Sequence, residues 1–506
     1  MKTILRISLA AALMLPFSLF AQEKTKTITD PAVLAKLKTA VEADPNNLKA
    51  HEEYIKAAGI ENTQTLAQYE AWQKKFPTSA VVPYAVGAAY ADEESPKAKP
   101  YLLKAVKIDP KLAKAWSDLW IDAERWGEFD QGREYLAKAT AAEPENPDYA
   151  FYYSGSFATV DRKRYLQLTD ELVKHFPTSD RGAQALYWLA QRSPKKADKL
   201  KGFEVLKNTY APEKFNWSSS GMSSYYDLLL QENPKRAQEL AKELGAKKVE
   251  GQNWAQLEKT ASSFVEIRSL LEQKKSKEAL DIIHSIKLPR YFGSNNTLLL
   301  FKAQVAEIAY SLAAGYDTLL NAFAKSPSVA IKERLVVYGS KAGRSAAEID
   351  TDIWKAIDAK AKPATPFTLK KYLTSGSASL MDYKGKVVLL TYWFPGCGPC
   401  RGEFPHFENV IRKFKGQQVD YIGINIAPEQ DEYVVPFMKS SGYSFTPIAD
   451  VKDRVKGNLD NRGGAPTNFL IDQNGRVIFS NFRTDGDNEG DLELMINLVL
   501  KNGKEV

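Results

Sequence analysis

Apolar residues follow a helical spacing through the first three fifths of the chain, and the pattern recurs. The clearest copy, residues 113–146, places Trp116 and Leu119 on a first helix and Tyr135 on a second. Prolines recur at intervals of 32, 33, 34 and 33 residues, at Pro45, Pro77, Pro110, Pro144 and Pro177. One helix pair cannot bury its apolar stripe alone, so neighbouring pairs are expected to stack. We therefore predict an all-α array of helical repeats over residues 30–350.

A period of about 34 residues closed by proline resembles the tetratricopeptide repeat. The best copy departs from that pattern at two positions. Trp120 stands where glycine is usual, and Gly132 stands where alanine is usual. The resemblance implies a concave surface that docks a peptide or protein partner. The aromatic residues of the repeats are also explained by packing between helices, so this partner is an expectation from the resemblance alone.

Beyond residue 350 the pattern changes to alternating strands and helices, which is typical of an α/β domain. The proline-containing stretch 360–366 breaks the helical pattern, and we assign residues 351–366 to a linker and 367–506 to the second domain. Asn474-Gly475 predicts a type I′ hairpin turn. Strand character is found at 387–393, 419–426, 468–471 and 477–480, with a last helix near 492–501.

The chain contains only two cysteines, Cys397 and Cys400, at the junction between a buried strand and a helix. Thiols at this spacing can close into a disulfide and reopen by exchange, and a C-x-x-C in this setting is a redox signature. The helix dipole favours the thiolate at the first cysteine, so we assign Cys397 as the nucleophile and Cys400 as the resolving thiol.

Two other uses of the cysteine pair were weighed. Structural zinc needs four ligands, and the four histidines of the chain do not supply a partner motif, so we predict no metal and no cofactor. A purely structural disulfide is disfavoured because closing so small a loop removes little entropy from the unfolded chain.

Three motifs in order resemble the TlpA/ResA branch of the thioredoxin fold, within the AhpC/TSA superfamily. They are Gly385-Lys386-Val387-Val388-Leu389-Leu390, Cys397-Gly398-Pro399-Cys400-Arg401-x-Glu403-x-Pro405 and Ala465-Pro466-Thr467. The resemblance covers roughly residues 363–503 and implies a thioredoxin-like fold. It also implies a thiol–disulfide oxidoreductase.

The resemblance assigns further site residues. Pro466 matches the proline whose preceding peptide bond is cis, with Ala465, Pro466 and Trp393 expected to contact substrate. Glu403 matches a carboxylate that would exchange a proton with Cys400. Thioredoxins proper carry an acid six residues before the first cysteine, where this chain has Thr391, and Gly396 replaces a tryptophan that usually precedes that cysteine.

The N-terminus predicts export. Lys2 and Arg6 precede an apolar stretch at 7–20, and we expect a signal peptide at 1–21 and a periplasmic protein. The formal charge of +7 falls to +5 without Lys2 and Arg6, and it is interspersed, which argues against a nucleic-acid partner.

The favoured function is a disulfide reductase that acts on protein disulfides and is recharged by a membrane electron donor. The Gly398-Pro399 dipeptide is that of reducing thioredoxins. One alternative is a repeat scaffold in which the redox module is secondary. A second is a peroxidase-like antioxidant, although that group uses Pro-x-x-x-Thr-x-x-Cys and Cys397 has neither the proline nor the threonine at those offsets.

Overall fold

The computed structural model describes residues 30–289 and 292–502. The expected signal peptide at 1–21 lies outside them. Helices occupy the first part of the described chain and a mixed sheet with helices the last part, which confirms the predicted fold class. None of the helices in these two ranges is long and apolar enough to cross a membrane.

The first part contains nineteen α-helices within the described residues 30–289 and 292–358. They are α1 Pro31–Ala43, α2 Leu48–Ala58, α3 Thr63–Lys75, α4 Val81–Asp92, α5 Ala98–Ile108, α6 Ala113–Trp126, α7 Phe129–Ala142, α8 Pro147–Gly155, α9 Arg162–His175, α10 Asp180–Gln191, α11 Lys196–Thr209, α12 Asn216–Glu232, α13 Pro234–Ala246, α14 Trp254–Glu272, α15 Ser276–Ser285, α16 Ser294–Ala309, α17 Leu312–Phe323, α18 Val329–Lys341 and α19 Ala346–Asp358.

The second part carries strands and three further helices. They are β1 Lys362–Pro363, β2 Thr368–Lys370, β3 Ser377–Ser379, β4 Val387–Trp393, α20 Gly398–Ile411, β5 Val419–Asn425, α21 Asp431–Ser441, β6 Thr446–Ala449, β7 Thr467–Ile471, β8 Arg476–Phe482 and α22 Glu489–Asn502. Helix α19 therefore runs into the stretch expected to be a linker, and β1 follows within it.

The recurring prolines lie in the turns between helices, where the missing N–H of proline costs nothing. The carbonyls of two of them are also used by side chains six residues further on. His51 Nε2 lies 3.0 Å from Pro45 O, and Trp116 Nε1 donates to Pro110 O at 2.8 Å. Ser79 of the next turn also donates to Pro45 O, at 2.9 Å. The last of these bonds joins the turn after α1 to the turn after α3.

The described chain divides into two compact units that differ from the sequence-based boundaries. The first comprises the residues up to Leu168 together with Ala427–Gly442, and the second comprises Thr169–Ile426 and the residues from Tyr443 onward. Helix α21, which the sequence places inside the α/β domain, therefore groups with the N-terminal helices.

Within the first unit, α21 packs on α6 and on the start of α7. The hydroxyl of Tyr433 donates to Asp122 Oδ1 at 3.0 Å, and the rings of Phe129 and Phe437 lie 6.2 Å apart. Gly127 ends α6 in the left-handed region, with φ +70°, and a Cβ there would meet the carbonyl oxygen of Phe437 at 2.8 Å. Glycine therefore serves both the backbone conformation and the close approach.

In the second unit, a six-stranded sheet has the order β1-β8-β7-β4-β5-β6, and β2 and β3 form a small separate sheet. Strands β4, β5 and β6 are parallel, whereas β7 is antiparallel to both of its neighbours, β4 and β8. The apolar run of β4 is buried along its whole length, as expected for a central strand between helices.

The hairpin between β7 and β8 differs from the predicted type I′ turn. That turn needs positive φ at both central residues, and only Gly475 has it, at +76°. The carboxylate of Asp472 instead accepts from the backbone N–H of Asn474 at 3.0 Å and of Arg476 at 2.7 Å. The side chain of Asp472 organises the turn, which the dipeptide rule does not consider.

Candidate active site

The cysteine pair lies at the junction between β4 and α20. Cys397 is the N-cap of α20, and its sulfur accepts a hydrogen bond from the backbone N–H of Cys400 at 3.2 Å. The two cysteines form a disulfide, with their Cα atoms 5.3 Å apart. Unpaired N–H groups and the helix dipole at this end favour negative charge on the Cys397 sulfur after reduction. Gly398 and Pro399 are exposed, whereas Cys397 is 2% exposed and Cys400 is fully buried.

Pro466 begins the turn into β7, the strand next to β4. The Ala465–Pro466 peptide bond is cis, as the resemblance implied. Pro466 is buried and Ala465 is half-buried. Strand β7 pairs with β4, with Thr467 opposite Tyr392. This turn therefore lies beside the end of β4, the strand that precedes the cysteines.

Glu403 is buried on α20, one helical turn after Cys400. Its Oε1 accepts from Arg483 Nε at 2.5 Å and from the backbone N–H of Thr484 at 3.0 Å. Its Oε2 accepts from Asn468 Nδ2 at 3.0 Å. Both carboxylate oxygens of Glu403 therefore accept hydrogen bonds. The same contacts also join α20 to the segment after β8.

Asn468 extends the hydrogen bonds of Glu403 to the central strand. Its Oδ1 accepts from the hydroxyl of Thr391 at 2.7 Å, and both residues are fully buried. Thr391 stands where thioredoxins proper carry an acid, so in this chain the position is linked to Glu403 through Asn468. Sequence reasoning missed Asn468, although an asparagine within an otherwise apolar strand is a signal that could have found it.

Trp393 corrects one of the site assignments. We expected this side chain to contact substrate, but it is fully buried. Its indole ring packs edge-on against Phe404, with ring centroids 5.7 Å apart, and against Phe445 at 4.9 Å. Every side chain of β4 is buried, and Trp393 lies on the face that packs against Phe404 of α20.

One histidine of α20 makes a structural contact near the site. His406 Nδ1 lies 2.6 Å from Glu489 Oε1 and so joins α20 to α22. Within residues 30–289 and 292–502, no cluster of three or more His, Cys, Asp or Glu side chains is arranged to hold a metal ion.

Comparison with known proteins places the likeness in the second half of the chain. Residues 361–480 match the sequence model of the AhpC/TSA family. The chain is 38% identical over 99 residues to the thiol-disulfide oxidoreductase ResA of Bacillus subtilis, which is 20% of this chain and 54% of that protein. It is 37% identical over 116 residues to ResA of Geobacillus kaustophilus, which is 22% of this chain and 66% of that one.

A solved structure of a DsbE thiol:disulfide interchange protein from Chlorobium tepidum is also similar, at 31% identity. The alignment covers 28% of this chain and 97% of that one, with a TM-score of 0.25. The chain thus spans about half to two thirds of the length of the curated relatives it matches. The matched parts account for the α/β region and leave the helical repeats without a counterpart in these alignments.

Proposed function

We propose that this protein, whose C-terminal region is a thioredoxin-like domain similar to the ResA oxidoreductases, is a thiol–disulfide oxidoreductase working through Cys397 and Cys400. The observation that carries the proposal is the position of Cys397. Its sulfur caps α20 and accepts the N–H of Cys400, so a thiolate formed there is stabilised before any substrate arrives.

The exchange proceeds in two steps. The Cys397 thiolate attacks one sulfur of a substrate disulfide, that S–S bond breaks, and the released substrate sulfur leaves as a thiolate that takes up a proton. Cys400 then loses its proton and attacks the Cys397 sulfur of the mixed disulfide. The second substrate thiol is released, the substrate has gained two electrons and two protons, and the Cys397–Cys400 disulfide remains.

Glu403 is proposed as the proton acceptor for Cys400. It lies on the same helix face, three residues further on, and is 4% exposed, so bulk water is a poor competitor for the proton. The hydrogen bond from Asn468 and the ion pair with Arg483 hold the carboxylate in place.

We further propose that the protein works as a reductase of protein disulfides in the periplasm. The Gly398-Pro399 dipeptide and the N-terminal pattern of charge followed by apolar residues support this. An oxidising compartment would require a membrane electron donor to restore the dithiol. The helical repeats are proposed to dock a substrate or partner.

The test is to trap the mixed disulfide. Cys400→Ser keeps the attacking thiol and removes the one that resolves the intermediate. We expect it to accumulate a covalent adduct with disulfide-bonded insulin or with a disulfide peptide. The adduct should be visible on non-reducing gels and lost with dithiothreitol. Cys397→Ser is the matched control and should form none. Adducts with Cys397→Ser but not with Cys400→Ser would reverse the order of attack, and insulin reduction unchanged in both variants would refute the proposed function.

A further inference from the structure

A chain of polar side chains connects the end of β6 to the turn before Pro466. Asp450 accepts from Arg454 Nε at 2.7 Å through one oxygen and lies 3.1 Å from Lys456 Nζ through the other. Lys456 Nζ in turn donates to Asn461 Oδ1 at 2.7 Å. Asn461 itself is 4% exposed, so its amide is buried and hydrogen-bonded within the protein.

Lys456 determines which way the Asn461 amide faces. An ammonium group can only donate, so the amide atom bonded to it is the oxygen and the amide nitrogen must point the other way. That nitrogen donates to the carbonyl oxygen of Gly464 at 2.9 Å. The backbone N–H of Gly464 also donates to Asn461 O at 2.9 Å, and the hydroxyl of Thr467 reaches Gly464 O at 3.2 Å.

The hydrogen bonds to Gly464 O fix the direction of the N–H group of Ala465. In the planar trans peptide between Gly464 and Ala465, the C=O and the N–H point in opposite directions. With its carbonyl directed at Asn461 and Thr467, this peptide directs the N–H of Ala465 away from them. Gly464 is exposed and Ala465 half-buried, so a bound chain can reach this turn.

The same set of contacts reaches β4, the strand that precedes the cysteines. Tyr392, five residues before Cys397, accepts from Arg454 Nη2 at 2.8 Å and donates to Leu459 O at 2.6 Å. Burial raises the pKa of Tyr392, which keeps its hydroxyl neutral and able to donate. The turn before Pro466 is thereby held in register with the end of β4.

We propose that Asn461 is a positioning residue for the substrate chain, aiming the N–H of Ala465 at the backbone of a polypeptide disulfide. Lys456, Arg454 and Asp450 hold Asn461 in the orientation that does this. The inference rests on the proposed thiol–disulfide exchange and adds to it a residue that discriminates polypeptide disulfides from small ones. A small aromatic disulfide offers no backbone to this N–H and gains nothing from it.

The test replaces Asn461 by Asp in the full-length protein. Asn461→Asp keeps an acceptor for Lys456 but cannot donate to Gly464 O. The contact with Lys456 is therefore kept, and the hydrogen bond that orients the Gly464 carbonyl is lost. The pre-reduced variant is mixed with increasing insulin, and the half-saturating concentration is read separately from the limiting rate. We expect the half-saturating concentration to rise roughly three- to tenfold, the loss of one hydrogen bond, with the limiting rate nearly unchanged. The rate with 5,5′-dithiobis(2-nitrobenzoate) should stay at the wild-type value.

Asn458→Asp is the matched control in the same segment. The Asn458 amide donates to Pro363 O at 2.9 Å and accepts from Thr365, contacts that do not involve the turn. It should leave the half-saturating concentration unchanged, while Lys456→Met, which frees the Asn461 amide, should raise it. An unchanged insulin curve in both Asn461→Asp and Lys456→Met, or an equal loss of rate with the aromatic disulfide, overturns the inference. A wild-type protein that reduces neither substrate overturns the proposed function itself.

Discussion

Asp122 on α6 should make the packing of α21 dependent on pH. It is 1% exposed, and burial raises its pKa to about 6 from the ordinary 3.8, against the opposing effect of the hydrogen bond from Tyr433. The positive charges of Lys99 and Arg125 also oppose the rise in the pKa, but burial outweighs them. The carboxyl is therefore neutral in the folded protein at a pH where the unfolded chain has ionised it.

The sign of the effect follows from proton binding. Between pH 3.8 and about 6 the folded state binds more protons than the unfolded state, so stability falls as pH rises through this window. The contribution is complete below pH 3.8 and lost above about 6. A shift of roughly two units, at about 1.36 kcal/mol each, gives an upper bound of about 3 kcal/mol for the loss.

Asp122→Asn removes the titration while keeping an oxygen that accepts from Tyr433. Hydrogen exchange of the α6 and α21 peptides, corrected for intrinsic rates, measures this local opening without assuming that the whole chain unfolds at once. Above pH 7 we expect the variant to exchange up to about a hundredfold more slowly than wild type, the rate equivalent of 3 kcal/mol. Near pH 4 the two proteins should agree.

Asp109→Asn serves as the control, because Asp109 is exposed and caps the end of α5. It should leave the pH profile of α6 unchanged. Parallel profiles for wild type and Asp122→Asn would refute the reasoning, since the profile would then come from another group. Asp118, one turn earlier on α6, is the group to examine next because burial raises its pKa to about 6 as well.

Two further predictions concern the site and the fold. Glu403→Gln preserves the shape of the side chain but cannot accept the proton of Cys400. The measured rate of insulin reduction should therefore fall by roughly ten- to a thousandfold. Arg483→Gln, which leaves the carboxylate in place, is its control, and an equal loss in both would show that the ion pair matters and not the proton. Gly127→Ala should lower the melting temperature, because the left-handed φ and the clash with Phe437 O together cost about 1–3 kcal/mol, and an unchanged melting curve would contradict the close approach of α21.

The repeats and the redox motif could be predicted from sequence because both are local signals. The proline period marks turns whatever the tertiary packing, and each of those prolines does lie between two helices. Two cysteines on a strand–helix junction likewise need no long-range information. Strand β4 at Val387–Trp393 was also within reach, because a continuous apolar run of this length suits a strand buried on both faces.

The features that sequence could not supply depend on partners far along the chain. Thr391 and Asn468 are 77 residues apart, and nothing in either neighbourhood shows that their side chains pair. The grouping of α21 with α6 depends on Tyr433 meeting Asp122 across 311 residues. The expectation for Trp393 failed for a different reason: β4 is buried along its whole length, so a side chain on either face of this strand lies in the core.

Two neighbouring side chains of β4 begin two separate sets of hydrogen bonds, one on each face of the central sheet. Thr391 and Tyr392 are consecutive on β4, so their side chains project to opposite faces. On one face, Thr391 bonds Asn468, which bonds Glu403 of the cysteine helix.

On the other face, Tyr392 bonds Arg454, whose carboxylate partner Asp450 also holds Lys456 and through it Asn461. One set of contacts therefore meets the group proposed to carry the proton, and the other meets the turn proposed to bind the substrate backbone. Because the sheet separates them, changes to one set should alter the limiting rate and changes to the other the apparent affinity. The proposed proton transfer and the proposed substrate recognition thus lie on different sides of the same strand.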